Sequence, residues 1–288
     1  MKLDLLIEKY LSEIKLRHSL GTWRFYISHL GHFATFAKIN GVDEVEEVDE
    51  ALIKNYISSM RLTNENITIN KNIGCLKRMF KFMNIEFHFL QTLDKFKERN
   101  KTFEMLSENQ IKEIRSYVKS MNSSKQNNLY YKAIILLLMD SGARIQEILF
   151  IEKKNIDLYN YEILLTHTKT KEDRVVYISE YTSNILKEIM NEKHNHPYVL
   201  HNYSKDRQAS YNDVVFFLKK LKKILGYKKL HAHMFRHSFA TIMINRGADL
   251  ISLMNIMGHK NLETTQRYLH ANKEHTKKMY FNSFNLDN

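Results

Sequence analysis

His233-Met234-Phe235-Arg236-His237-Ser238-Phe239-Ala240 is the stretch on which the reading of the C-terminal half turns. His233 and Arg236 stand three apart, a spacing that projects both from one face of a helix. That helix runs from about Met234 to Asn245 and is ended by Gly247. Downstream, Asp249 can cap a helix that stops before Gly258, within Met257-Gly258-His259. Asn261 or Thr264 can begin a further helix, which carries Tyr268 nine residues after His259. Upstream, Val214 to Leu225 reads as a helix with Lys219, Lys220, Lys222 and Lys223 on its polar side.

Further upstream the pattern changes. Ile156 to Thr166 and Arg174 to Ser179 read as two strands joined by a polar turn, His167 to Asp173, which holds Lys169. Beyond Ser179 the chain returns to helices. Before the strands, Arg144 to Phe150 reads as a short helix after Ser141-Gly142-Ala143, and Asn128 to Met139 as a longer one. Ser107-Glu108-Asn109-Gln110 fits the S-x-x-Q capping box of a helix with Ile111 and Ile114 inward.

The first hundred residues read as helices. Leu3, Ile7, Tyr10 and Ile14 make one apolar face. Trp23, Ile27, Leu30, Ala34 and Ala37 make a second, stopped near Gly41. Asp49 can cap a third helix, with Leu52, Ile53, Tyr56 and Ile57 inward. A fourth runs from about Ile67 to Met83 and buries Ile73, Leu76, Met79, Phe80 and Met83. Its other face carries Lys71, Lys77, Arg78 and Lys81, either a solvated surface or a set of phosphate contacts. The polar segment Asp94 to Lys101 marks a linker, so the domains are expected at 1–93 and 107–288, joined by 94–106.

Composition narrows the partners. The chain has 288 residues, is 43% hydrophobic and carries 44 Lys+Arg against 32 Asp+Glu, a formal charge of +12. Such a surplus attracts polyanions, nucleic acid first and an anionic membrane surface second. No apolar run reaches the ~18 residues of a bilayer span, and Asp4 and Glu8 do not suit a secretory signal. The one cysteine, Cys75, allows neither an intrachain disulfide nor a Cys-rich zinc site. His194 and His196 form an isolated pair near Pro197, read as a loop. The expectation is a cytoplasmic protein that binds no metal and no cofactor.

Taken singly, the polar residues have plain readings. Arg144 and Glu147 at i, i+3 are an ion pair. His259 after a glycine is a helix-end residue facing the dipole. Lys169 is one cation on a charged loop, and Tyr268 is one of 16 tyrosines. Taken in order they form R…K…H-x-x-R…H…Y. In this pattern the sequence resembles the tyrosine recombinases, also called phage-type integrases. The resemblance is strong from about Leu106 to Tyr268 and is one of helix pattern before Asp94. Simple two-domain Xer-type and Cre-like members match the layout, and no extra N-terminal arm-site domain is expected. Phe235 and Met257 stand where leucine is usual, changes of packing only.

The resemblance implies a mainly α fold with a small antiparallel β-sheet in the C-terminal domain. A helical, SAM-like core-binding domain would precede the catalytic domain. It implies that Arg144 and Arg236 clamp the scissile phosphate, as planar, permanently charged guanidinium groups can. His233 would bond the phosphate and act as base toward tyrosine; His259 would donate to a phosphate oxygen. Lys169, with Lys171 as the neighbouring alternative, would protonate the leaving 5′ oxygen. Tyr268 would be the nucleophile, and Glu147 and His237 supporting residues. The implied activity is site-specific recombination through a 3′-phosphotyrosine and a Holliday junction, serving integration and excision of a mobile element or resolution of chromosome dimers. The implied partners are double-stranded DNA sites, further copies of the chain (a tetramer on DNA, weakly associated without it) and an accessory or directionality protein. A tail with Tyr280, Phe281 and Phe284 would dock on a neighbouring protomer or pack on its own domain. A type IB topoisomerase-like enzyme and a non-catalytic DNA-binding relative are the alternatives.

Overall fold

The computed structural model describes residues 1–98, 103–123, 126–168, 172–191, 196–202, 205–270 and 281, with the side chains of 126, 127, 267, 269 and 270 outside the description. Lys169, Lys171, His194, Tyr280 and Phe284 therefore lie outside the described residues; Phe281 is exposed. The chain divides into two compact units, Met1–Lys101 and Thr102–Asn288. Among the described residues no helix is long and apolar enough to cross a membrane.

The first unit is helical: α1 Leu3–Arg17, α2 Leu20–Ile39, α3 Glu50–Thr63, α4 Asn66–Phe82 and the short α5 His88–Thr92. Local chemistry sets the starts. Ser19 accepts from the Thr22 amide and Asp49 from the Leu52 amide, each satisfying a donor the helix leaves orphaned. The core gathers Leu6, Leu30, Phe33, Ile53, Ile69 and Met79, all fully buried. On α2 the buried stripe is Tyr26, Leu30, Phe33 and Ala37, whereas Ile27 is exposed and Trp23 half-buried. The expected stripe of Trp23, Ile27, Leu30, Ala34 and Ala37 is thus rotated. Tyr26 packs edge-on against Tyr10 of α1, and Phe33 against Tyr56 of α3 and Phe80 of α4, which turns both rings inward. Residues 94–98 are tied back to α4: Asn70 Nδ2 donates to Phe96 O and Asn70 Oδ1 accepts from Phe96 N, both at 2.9 Å.

The second unit is built around α7 (Gln126–Asp140), whose residues Ala133 to Leu138 are buried on every side. Before it, α6 (Glu108–Ser120) starts with the Ser107/Gln110 capping box, and the short α8 (Ile145–Leu149) follows. An antiparallel sheet of order β1-β2-β3 comes next: Ile156–Asp157, Glu162–Leu165 and Arg174–Tyr177. The expected strand from Ile156 to Thr166 is broken. Asp157 accepts from the Tyr159 and Asn160 amides, and Tyr161 takes φ 59°, which turns the chain between β1 and β2. After α9 (Glu180–Asn191) two strands absent from the sequence reading, β4 His201–Asn202 and β5 Arg207–Gln208, pair with each other. Helices α10 (Tyr211–Ile224), α11 (Ala232–Asn245), α12 (Leu250–Met257) and α13 (Leu262–His270) complete the unit. Ala240, Ile244, Leu253, Met257 and Tyr268 close a small core that joins α11, α12 and α13.

Candidate active site

The site forms where the ends of these short elements converge. Arg144 is the residue before α8, in extended conformation, and its Nη1 donates to Glu147 at 3.0 Å. The ion pair expected from their spacing is present. Glu147 is more than Arg144's partner, however. It also accepts from Arg174 Nη1 and Nη2 at 3.0 and 2.6 Å. Burial opposes its ionisation, but the Arg174 hydrogen bonds and charge, then Arg144, outweigh it and hold the carboxyl below its ordinary range. Arg174 opens β3, and the sequence reading treated it only as the start of a strand. Its one legible signal is a cation heading an otherwise apolar run.

Arg236 projects from α11 and is 5% exposed. Its Nη1 donates to Gly142 O and its Nη2 to Met257 O, both at 2.7 Å, and Nη2 lies 2.8 Å from His259 Nε2. Among the described residues its hydrogen-bond partners are therefore neutral. Burial first, then the charge of Arg144, lowers its pKa to about 10, so it remains a cation at neutral pH. Among the described residues, two guanidinium groups thus share the Glu147 carboxylate and a third feels the charge of all three groups, a local positive excess suited to an anion.

One strand of backbone registers all three arginines. At the C-terminus of α12, Ile256 O accepts from Arg174 Nε at 2.8 Å, Met257 O from Arg236 at 2.7 Å and Gly258 O from Arg144 Nη2 at 3.2 Å. These are among the carbonyls a helix end leaves without partners, at the negative pole of its dipole. Two glycines make the approach possible. Gly142 takes φ 60° and a Cβ there would lie 2.4 Å from Phe239; Gly258 takes φ 63° and a Cβ would lie 2.9 Å from the Arg174 guanidinium. Gly258→Ala is therefore expected to cost about 1–3 kcal/mol from backbone strain alone, and more as Arg174 is displaced. A urea denaturation midpoint equal to wild type would contradict this.

The histidines divide by environment. Arginine only donates, so His259 Nε2 accepts from Arg236 and its Nδ1 carries the proton toward Thr265 Oγ1 at 2.8 Å. Burial first, then Arg236, Arg144 and Arg174, pushes His259 down to about 4. His233 is exposed on one side; burial of the other, with Arg236, His231 and Arg144, lowers its pKa. His237 is pushed down to about 4, by burial first and then by His233 and Arg236. Its Nδ1 lies 2.8 Å from the hydroxyl of Tyr268, which is 3% exposed on α13. Both His237 and His259 take protons more readily when unfolded, near pH 6.5. Stability is then full above that pH and falls as pH drops from 6.5 toward 4. Melting temperatures across this range check the sign, and His259→Gln should flatten the profile.

Thr168 and Glu172, which flank 169–171, are joined by two hydrogen bonds: Thr168 Oγ1 donates to Glu172 O at 2.8 Å and accepts from its amide at 3.0 Å. Lys260 pairs with Glu172 at 3.1 Å, which links the hairpin to the His259 loop. In the first unit, Lys71, Arg78 and Lys81 are exposed on α4. Lys77 is set apart from them, its Nζ donating to Leu93 O at 3.1 Å. Among the described residues no group of three or more His, Cys, Asp or Glu could hold a metal ion.

Residues 104–275 match the model of the phage integrase family. The chain belongs to that family. It is 33% identical over 226 residues to a probable integrase/recombinase of Acholeplasma phage L2, covering 78% of each chain. It is 31% identical to tyrosine recombinase XerA of Saccharolobus solfataricus, over 72% of this chain and 64% of that one. It is 27% identical to tyrosine recombinase XerC of Staphylococcus aureus, over 80% and 79%. The family member described here is accordingly a tyrosine recombinase, an enzyme. Its fold is shared with the Tn1549 transposon integrase in complex with transposon right end DNA (TM-score 0.77, 19% identity, 98% and 99% covered). It is shared too with the XerH site-specific recombinase bound to palindromic difH substrate (TM-score 0.76, 20% identity, 96% and 83% covered).

Proposed function

We propose that this tyrosine recombinase exchanges strands between two double-stranded DNA sites, with Tyr268 as its nucleophile. The observation that carries the reading is the excess of guanidinium charge, Arg144 and Arg174 sharing Glu147 with Arg236 held on neutral groups beside them, together with a buried tyrosine hydroxyl. Such a pocket stabilises negative charge, and attack on a phosphodiester concentrates charge on the phosphoryl oxygens.

In the proposed reaction Tyr268 Oη attacks phosphorus while Arg144 and Arg236 hold the non-bridging oxygens. His233 contributes hydrogen bonds to the phosphate. His259 does so once Arg236 turns from its Nε2 to the anion and that nitrogen takes up a proton, which the phosphate's negative charge favours. The P–O5′ bond breaks, its electron pair stays on O5′, and Lys169 protonates that oxygen. The 3′-phosphotyrosine retains a bond of comparable energy, so a 5′-hydroxyl from the partner site can reverse the step and leave a Holliday junction. Four copies on two sites, with an accessory protein setting direction, would complete exchange. The work served is integration and excision of a mobile element or resolution of chromosome dimers. Lys71, Arg78 and Lys81 would contact DNA phosphates, making affinity steeply salt-dependent.

The test is a nicked suicide substrate built from DNA flanking the coding region. A covalent adduct is expected, with the DNA-linked peptide containing Tyr268, and two-site products that a solitary relaxing enzyme would not make. An adduct on another peptide would overturn the assignment. Relaxation without two-site products would favour the topoisomerase reading. Tight DNA binding with no adduct would favour the non-catalytic one.

A further inference from the structure

A ring stack and a hydrogen bond meet at the proposed nucleophile. His237 Nδ1 lies 2.8 Å from Tyr268 Oη. Phe103 stacks on the His237 imidazole, centroids 4.4 Å apart and planes at 24°, and on the Tyr268 ring at 5.3 Å and 29°. The segment carrying Phe103 is fastened to α11, where Ser238 Oγ accepts from Leu106 N at 2.6 Å. The imidazole is thereby restrained with Nδ1 facing the hydroxyl. His233 stands one helical turn away, its ring 6.3 Å from that of His237.

We infer that His237, rather than His233, is the catalytic base that takes the Tyr268 proton, with Phe103 the positioning residue that keeps the two rings facing. The inference rests on the strand-exchange reading above. The neutral imidazole carries its proton on Nε2 and accepts at Nδ1. As Tyr268 attacks, the Oη–H bond breaks, the proton passes to Nδ1, and the freed pair on Oη forms the bond to phosphorus. The P–O5′ pair leaves with O5′, which is protonated by the general acid. In rejoining, the 5′-hydroxyl returns its proton to the conjugate base of that general acid as O5′ attacks, phosphorus releases Oη, and Nδ1 returns its proton to Oη. The base is weak while the site is empty, because burial and the charges of His233 and Arg236 disfavour an imidazolium. A phosphodiester anion beside the arginines offsets that charge, so the base strengthens when substrate is bound.

The experiment is single-turnover adduct formation by the full chain on the suicide substrate. His237→Ala should slow adduct formation by about 10²–10⁴-fold, with partial recovery in added imidazole. His237→Asn, which keeps a polar group toward Oη but takes no proton, should melt and bind DNA like wild type yet react as slowly. A more acidic fluorotyrosine at position 268 should narrow the gap between wild type and His237→Ala. Phe103→Ala should slow the reaction without imidazole recovery, and Phe103→Tyr should restore it. A His237→Ala rate equal to wild type, or imidazole recovery confined to His233→Ala, would overturn the inference and leave strand exchange standing. A wild type that forms no adduct would remove the reading beneath it.

Discussion

Tyr268→Phe is expected to abolish the covalent adduct while leaving the fold and DNA affinity essentially as they are. The substitution removes one oxygen. The ring stays packed with Ala240, Leu253 and Met257, and its stack on Phe103 needs no hydroxyl. What is lost in the free protein is the hydrogen bond to His237, about 0.5–1.5 kcal/mol. What is lost in the reaction is the nucleophile itself, which no change in the surrounding charge can replace. Denaturing gels after incubation with suicide substrate report the adduct; a filter or shift assay reports binding. An adduct formed by the Phe variant would place the nucleophile elsewhere. A variant that neither binds nor melts cooperatively would show that the hydroxyl matters more to folding than its hydrogen bond to His237 implies.

Glu147→Ala is expected to destabilise the second unit by about 3–5 kcal/mol, the usual consequence of leaving buried charge without its partner. The Glu147 side chain is 2% exposed and bonds both Arg144 and Arg174. Without it their guanidinium groups face each other and Arg236 across a poorly solvated space. Glu147→Gln keeps one acceptor oxygen and should fall between. Chemical denaturation measures the loss. Added sulfate should return part of it in Glu147→Ala by supplying the missing negative charge, and no sulfate effect would count against the charge argument.

Much of the architecture is legible in the sequence because it is written in caps and periods. Asp49, Ser107 and Asp249 each cap the helix expected of them, and Gly258 ends α12. Arg144, His233, Arg236, His259 and Tyr268 stand out in the sequence through their order and spacing, and all five fall within the matched residues 104–275. Other features leave no such trace. Strands of two residues, such as β4 and β5, are too short to express any period. The stripe of α2 is set by rings on other helices, Tyr10 against Tyr26 and Tyr56 and Phe80 against Phe33, which the period of α2 alone does not express. Arg174 and Phe103 act through contacts between residues distant in sequence, and one chain without its fold gives no measure of those distances. His237 was legible as a support only; its contact with Tyr268 depends on how α13 returns to α11.

The three carbonyls at the end of α12 impose a constraint of a different kind on this chain. Arg174, Arg236 and Arg144 reach them from three separate elements, and each meets a successive peptide oxygen. The separation of the guanidinium groups is therefore ruled by the repeat of the main chain, a length that no side-chain substitution alters. Ile256 and Met257 can exchange side chains, within what packing allows, and leave that ruler unmarked. Inserting or deleting a residue between Ile256 and Gly258 would break the one-to-one register of arginines and carbonyls. At Ile256 and Met257 variation should be free in letter, within what packing allows, and forbidden in number.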